Sequence, residues 1–438
     1  MSNKQDYVQW FRGTAPYIKA HRKNTFVLMI SDEVIFSDRF IGIVHDIALL
    51  NHLGIKLVLL HGSRNRIDAH LSENNLSSNF HRGVRITNVE TLPCIIQAIN
   101  EVKTHLESHL SMGLPNTPMS GSEISLISGN FVTGMPLGVI DGIDMQHSGK
   151  VRDIKHAQIS ALLDLNKIIL LSNIGYSRTG EVFNLPAEEL ACEVARALNA
   201  DKLIFIHPEL ESAAESPKSL TGIECEQLYN DPTTADELKH LLYQAGRAIN
   251  SREMRVHLLD YRTDGGLLLE LFTRDGYGMM ITNAFYEGIR EANIDDIGGI
   301  LTLINPLEVS GVLVERSREQ LELEVPHFQV IEKDGMIIAC IACIPDAGHQ
   351  ISEVACLAVH EDYQRGGFGQ QLLQVIEAKS LKSGIDQLYT LTTRTSHWFL
   401  EQGFDEADSS ILPDIKRSNY NPARGSKILM KKIQCPTT

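Results

Sequence analysis

Over the first 280 positions, apolar residues fall into short unbroken blocks separated by segments of helical period. TFVLMI (25–30) and IKLVLLHG (55–62) read as strands buried on both faces, with HDIALLNHLG (45–54) between them as an amphipathic helix ending at Gly54. The alternation continues with a helix over QISALLDLN (158–166), a strand over KIILLSNIG (167–175), a helix over PAEELACEVARALNA (186–200) and a strand over DKLIFI (201–206). Pro186 opens its helix, and Glu188 and Glu189 fall at the positive end of the dipole. Residues 207–235, rich in Ser, Glu and Pro, are expected to form an exposed connection. A helix near 235–250, the strand RVHLLD and the helical GLLLELF follow. Apolar strands alternating with helices imply a largely parallel sheet covered on both faces.

The pattern changes near residue 289. REANIDDIGGILTLINPLEVSG predicts a strand, an Asp-rich cap and a helix, and three strands follow (328–333, 336–343, 352–359), the first two joined by a turn at Asp334-Gly335. A helix then begins beside Gly366, Gly367 and Gly369, and the strand QLYTLTT, the helix SHWFLEQ and Gly403-Phe404 complete the order. A first domain over 1–283, a linker over 284–290 and a second domain over 291–438 are expected.

At 438 residues the chain is too long for one core. A net charge of −15, with no basic run to offset it, argues against a nucleic-acid partner. It also means that an anionic ligand must be held by a few placed cations and backbone dipoles. Seven scattered cysteines do not read as a disulfide framework. Cys340 and Cys343 lie inside the apolar MIIACIACI with no second pair beside them, so strand thiols are expected there and no metal site. No apolar signal region opens the chain, and no apolar run approaches the ~18 residues that span a bilayer, so a cytoplasmic protein without a membrane partner is expected.

The richest chemistry lies in EVACLAVHEDYQRGGFGQ (353–370). A strand that enters a glycine loop at a helix start aims unpaired N–H groups and the positive end of a dipole at one point, a cradle for a pyrophosphate. The stretch lacks the Gly-Lys-Ser/Thr of a P-loop, and it lacks a dinucleotide GxGxxG followed by an acid. Left to itself it could also be an ordinary glycine turn. The spacing Gln364-x-x-Gly367-x-Gly369, within this order of elements, resembles the acetyl-CoA signature of the GCN5-related N-acetyltransferases. That resemblance implies acetyl-CoA as co-substrate, held by Leu357, Ala358, Val359, Gln364, Arg365, Gly366, Gly367, Phe368, Gly369 and Gln370.

The first domain resembles the amino-acid kinase family, the acetylglutamate kinases in particular, through LHGSRNRID (60–68), GNFVTGMPLGVIDGIDMQHSGKVRDI (129–154) and the run from Ser172 to Ile206. The two domains together resemble the bacterial N-acetylglutamate synthase family over essentially the whole chain. The fold class implied is α/β: an amino-acid kinase-like parallel-sheet sandwich followed by an acetyltransferase α+β domain. The activity implied is direct acetyl transfer from acetyl-CoA to the amino group of L-glutamate, the first step of arginine biosynthesis, with L-arginine as inhibitor and a homo-hexamer as assembly.

The departures from the kinase pattern carry their own message. The lysine and glycines of the kinase Lys-x-Gly-Gly are replaced by Met29-Ile30-Ser31-Asp32. Only Gly62 remains of the second glycine turn, and Asn184 is followed by Leu185, Pro186 and Ala187 where the family has Asn-x-x-Asp. Without the cation that neutralises a transferring phosphoryl group, and with Asp32 facing its place, the domain is expected to be catalytically silent. The family keeps such a domain as an arginine sensor. On that resemblance Glu270 takes the guanidinium bidentately, backbone N–H groups around Gly276 and Gly278 take the effector carboxylate, and Tyr17 lies nearby.

For acetyl transfer, Glu353 at the head of its strand is the candidate base, acting through water, and the N–H near Leu357 the candidate oxyanion donor. Many acetyltransferases protonate the leaving thiolate with a Tyr where this chain has Phe399; Thr392 is the substitute, though a β-branched residue is ordinary in a strand. Arg316, Arg417 and Arg424 match basic family positions for the two acceptor carboxylates, with Lys416 as an alternative to Arg417 and the backbone near Cys356 for the α-carboxylate. Two other readings compete: an active kinase with an appended acetyltransferase, and a non-catalytic arginine-binding regulator.

Overall fold

The buried blocks of the first half line up as an eight-stranded sheet in the order Ser219–Thr221, Met279–Thr282, Arg255–Leu259, Lys202–Ile206, Thr25–Ile30, Lys56–His61, Ile168–Leu171, Leu126–Ser128. The structure, a computed structural model, describes residues 2–113, 120–121, 123–208, 219–249, 254–273, 276–282, 289–333, 336–346, 351–364, 367–419 and 425–433. Every pairing in this sheet is parallel except that of Arg255–Leu259 with Met279–Thr282. Alternate strand residues face opposite ways, so each strand feeds two cores. Val27, Met29, Val58, Leu60, Leu203 and Phe205 pack with the helices Ala187–Ala197 and Asp236–Ile249. Phe26, Leu28, Ile30, Leu57, Leu59, Ile204 and Ile206 pack with Phe40–His52, Leu92–Leu110 and Gly266–Phe272.

Three details differ from the sequence reading. The block 167–175 is two strands, Ile168–Leu171 in the large sheet and Ile174–Tyr176 in a four-stranded sheet, because the chain turns away at Ser172-Asn173. The connection 207–235 contains the strand Ser219–Thr221 and the helix Gly222–Asn230, capped by Thr221 and Glu224 in a reciprocal box. The helix at 45–54 starts earlier, at Phe40.

Contacts divide the chain into two compact units, Met1–Phe285 and Tyr286–Thr438. The second holds a seven-stranded sheet in the order Ile289–Glu291, Phe328–Lys333, Met336–Pro345, Ile351–Val359, Gln387–Thr392, Lys427–Lys432, Asp405–Glu406. Helix Ile297–Val309 covers one face through Ile297, Ile300 and Ile304; helix Phe368–Lys382 covers the other through Leu372, Leu373 and Ile376. Cys340 packs on the first face and Cys343 on the second, as a three-residue offset in a strand demands, which rules out a joint metal or redox pair. The expected Asp334-Gly335 turn lies outside the described residues. Among the described residues no helix is long and apolar enough to cross a membrane.

Candidate functional site

Two irregularities of the strand Ile351–Val359 create the second unit's site. Its pairing with Met336–Pro345 runs Cys340 to Ala358 and then Ala342 to Ala355, so one extra residue is inserted, and Cys356 takes a left-handed φ of 49°. Such a bulge bends the strand and re-aims its neighbours. On the other edge, the parallel pairing with Gln387–Thr392 is registered only from Ile351–Gln387 to Glu353–Tyr389. Beyond Glu353 the two strands part, leaving Leu357, Ala358 and Val359 beside the opening with backbone groups free of that neighbour.

The helix Phe368–Lys382 begins beside this opening. Gly367, its N-cap, has φ 72° with nothing within 4 Å of where a Cβ would lie. The Gln371 N–H donates to the carbonyl of the N-cap Gly367 at 3.1 Å, and the N–H groups of Phe368, Gly369 and Gln370, in the first turn, precede the intrahelical ladder. Gln364 Nε2 donates to the Val359 carbonyl at 3.4 Å and pins the loop to the strand. A Cβ on Gly369 would lie 3.3 Å from Trp398, so a side chain there would make the ring give by a few tenths of an ångström. A helix end of this kind can receive an anion. Arg365 and Gly366 lie outside the described residues.

Glu353 is 7% exposed, and Lys416 Nζ stands 2.6 Å from its Oε2 as a charge contact rather than a well-directed hydrogen bond. Arg316 is within electrostatic reach of Glu353 and Cys356, while its Nε donates to Glu324 at 3.2 Å. Burial pushes the Cys356 thiol up to about 12, so it stays protonated and is no nucleophile at neutral pH. Thr392 Oγ1 accepts the Thr395 N–H at 3.0 Å and shares a 2.7 Å hydrogen bond with the Thr395 hydroxyl. Phe399 is buried against Phe404 and Trp398. Arg417 Nη2 donates to the carbonyls of Ser410 and Leu412 at 2.7 and 2.8 Å, and Lys416 is the basic residue that meets the acid. Arg424 lies outside the described residues.

In the first unit Glu270 is occupied from within. Its Oε1 lies 2.5 Å from His257 Nδ1, and its Oε2 accepts the N–H groups of Tyr277 and Gly278 at 2.6 and 2.8 Å. Burial would raise its pKa, yet these partners hold it down to about 2. His257 Nε2 faces Lys202 Nζ at 3.2 Å. Gly276, φ 61°, brings its backbone so close that a Cβ would lie 2.8 Å from Glu270 Oε2. Tyr17 is half-buried on the helix Ser2–His21, whose His21 Nε2 donates to the Leu271 carbonyl at 2.8 Å, next to Glu270 in sequence. Lys202 and His257 went unread in the sequence, although polar residues inside buried strands were their signal.

The ends of the parallel strands enclose a cavity of about 150 Å³ lined by Asp32, Ser63, Arg64, Arg85, Asn184 and Glu188, among others. Asp32, 3% exposed, accepts the Arg66 N–H at 2.9 Å, at the N-terminus of the helix Arg64–Glu73. Its carboxylate thus takes the position where that helix end would bind a ligand anion. Among the described residues no group of three His, Cys, Asp or Glu is arranged to hold a metal.

The Amino acid kinase family profile matches residues 24–209, and the Acetyltransferase (GNAT) domain profile matches residues 324–406. The amino-acid acetyltransferase of Ectopseudomonas mendocina is 44% identical over 430 residues, 98% of this chain and 100% of that protein. That of Azotobacter vinelandii is 45% identical over 431 residues, with 98% and 100% covered. The crystal structure of N-acetylglutamate synthase from Neisseria gonorrhoeae complexed with coenzyme A and L-arginine matches with a TM-score of 0.85 at 34% identity, over 98% of this chain and 100% of that one. The same enzyme complexed with coenzyme A and N-acetyl-glutamate matches with a TM-score of 0.62 at 35% identity, with the same coverage. With both units matched and relatives aligned from end to end, the chain belongs to the amino-acid acetyltransferase (N-acetylglutamate synthase) family, an amino-acid kinase-like domain joined to a GCN5-related N-acetyltransferase domain.

Proposed function

We propose that this chain transfers the acetyl group of acetyl-CoA to the α-amino group of L-glutamate, opening arginine biosynthesis, and that its first unit is an L-arginine sensor without kinase activity. The observation that carries the reading is Glu353, a buried carboxylate at the fork where the strand pair opens, with cationic Lys416 and Arg316 around it. An acid held there suits a base whose target is the substrate's ammonium group. The gonococcal relative's complexes with coenzyme A, N-acetyl-glutamate and L-arginine support the same ligands here.

Acetyl-CoA supplies the acetyl group as a thioester. Glu353 accepts a proton from the glutamate ammonium through a water, and the freed nitrogen lone pair attacks the thioester carbonyl carbon. The Leu357 N–H receives the charge that develops on the oxygen. As the tetrahedral centre collapses, the C–S bond breaks and the pair goes to sulfur; the nitrogen releases its second proton to water, and Thr392 passes its hydroxyl proton to the thiolate while taking one back from water, so its hydroxyl is restored. Gly367, Phe368, Gly369 and Gln370, with Arg365 and Gly366, hold the pyrophosphate. Arg316 and Lys416 lie nearest the acid, and Arg417 and Arg424 complete the set of cations for the acceptor carboxylates.

Asp32 closes the first unit's anion cradle from inside, which accounts for kinase silence by occupancy as well as repulsion. The exposed Trp10 and Phe11 on Ser2–His21 suit a subunit contact in a homo-hexamer. The reading is tested by incubating the full chain with acetyl-CoA and glutamate and identifying the product by mass over an arginine series. N-acetylglutamate formed and suppressed by arginine supports both halves; its absence refutes the first.

A further inference from the structure

Arg316 is held at its backbone and at its side chain by two acids that stand against their own local preference. Its backbone N–H donates to Glu308 Oε1 at 3.0 Å, and its Nε donates to Glu324 Oε2 at 3.2 Å. Glu308 is in the last turn of helix Ile297–Val309, and Glu324 closes helix Arg318–Glu324. The negative end of a helix dipole disfavours acids there, and neither helix has a basic residue in its last turn. Arg316, in the segment between the two helices, gives each acid a donor. Glu324 is itself braced. Gln320 Nε2 donates to its other oxygen at 3.4 Å, and Ser317 Oγ accepts the Gln320 N–H at 3.2 Å. Leu321, on the same helix, packs in the core that contains Cys356 and Ile304.

The brace leaves part of the guanidinium open. Arginine has five N–H donors on its guanidinium and no acceptor. The Nε–H goes to Glu324 and one Nη1 hydrogen to the Val314 carbonyl at 3.3 Å, while Nη2 makes no hydrogen bond among the described residues. The side chain is only 11% exposed, and it lies within electrostatic reach of Glu353 and of Cys356 at the strand bulge. A cation in that place, with Nη2 unengaged, matches a carboxylate, which only accepts.

We propose that Glu324 is a positioning residue for the acceptor: it fixes the Arg316 guanidinium through Nε, so that the Nη2 side is presented to a carboxylate of the incoming amino acid. This rests on the glutamate-acetylation reading above. A free arginine side chain samples many rotamers, and binding a substrate through it costs the entropy of stopping it. With Glu324 in place, that ordering precedes the substrate. The ion pair leaves the guanidinium charged and engages it at Nε. Glu324 thus acts on the acceptor through Arg316 and takes no part in the acetyl transfer itself.

The test is a double-mutant cycle on the full-length protein with Glu324→Ala, Arg316→Ala and the pair, reading KM for glutamate, KM for acetyl-CoA and kcat. Glu324→Ala is expected to raise glutamate KM about tenfold, the scale of one hydrogen bond to a charged group, and to leave acetyl-CoA KM within about twofold. In the Arg316→Ala background the same change should add less than about twofold, because residues acting as one unit are not additive. Glu324→Gln keeps an oxygen for the Nε–H and should recover most of the lost affinity. An unchanged glutamate KM in Glu324→Ala overturns the proposal. So does a full tenfold loss in the Arg316→Ala background, or an equal rise in both KM values, either of which would give Glu324 a merely structural role. If the unsubstituted protein acetylates no glutamate, the acetylation reading falls and this one with it; glutamate turnover with additive effects sinks this one alone.

Discussion

The Gly278 N–H donates to Glu270 Oε2 at 2.8 Å, so the loop expected to hold an effector's carboxylate is tied to the acid expected to hold its guanidinium. Tyr277 adds a second N–H at 2.6 Å, and His257 fills the other oxygen at 2.5 Å. An ammonium only donates and a carboxylate only accepts, so between Lys202 and Glu270 His257 is neutral, protonated on Nδ1. A guanidinium binding Glu270 has to replace these partners or bind beside them. Glu270→Ala is expected to weaken arginine binding by tenfold or more in titration calorimetry; an unaltered affinity would take Glu270 out of the effector site.

Gly276 lies against that cluster. At φ 61°, with the carboxylate 2.8 Å from any Cβ, it tolerates no side chain without the loop or the Glu270 carboxylate shifting. Gly276→Ala carries at least the 1–2 kcal/mol of a left-handed L-residue. The unfolding midpoint of the first unit should fall accordingly in a denaturant titration, and an unchanged midpoint would show that the loop does not hold this geometry.

Two buried histidines make the first unit acid-sensitive. Burial, the leading cause for each, lowers His61 and His257 from 6.5 to about 4. Between those values the unfolded chain binds protons that the folded one refuses, so stability is complete above about pH 6.5 and drains away as pH falls toward 4. Each histidine contributes on the order of 3 kcal/mol across that window. Glu270, held down, adds a loss only below the ordinary carboxylate range. Chemical denaturation at pH 7.5, 5.5 and 4.5 should show the midpoint dropping steeply; a flat profile would mean that these histidines titrate normally.

Asp32 should behave as a resident anion. Burial raises its pKa against the pull of the helix N–H groups around it. Asp32→Ala vacates the helix end, and inorganic phosphate is expected to raise the melting temperature of this variant and leave that of the unsubstituted protein in place. Equal responses in both would refute the plug.

Glu353→Gln keeps the shape of the carboxyl and removes its basicity. A base contributes about 10²–10⁴-fold, so kcat should fall by that much while acetyl-CoA affinity, read by calorimetry, stays within twofold. A parallel loss of both would give Glu353 a structural role.

Much of this was legible in the chain, for physical reasons. Thr25–Ile30, Lys56–His61 and Lys202–Ile206 are buried on both faces, and such strands write themselves as unbroken apolar runs. The glycine loop announced the start of Phe368–Lys382 because a left-handed N-cap needs Gly367. What stayed hidden depends on distant partners. Nothing local says that Ile168–Leu171 and Ile174–Tyr176 part into different sheets, or that the strand pair separates after Glu353. Which of Lys416 and Arg417 meets Glu353 was not legible, since both are cations; in space it is Lys416 that stands 2.6 Å from the carboxylate. The mutual satisfaction of Glu270 and Gly278 was likewise invisible, because each was read as a partner for a ligand and not for the other.

The most direct test of the central claim is the initial rate of CoA thiol release from acetyl-CoA with each of the twenty amino acids in turn as acceptor. The account predicts release that depends on glutamate and is negligible with the others, including aspartate and glutamine. Release with a different amino acid, or none with glutamate, would contradict it.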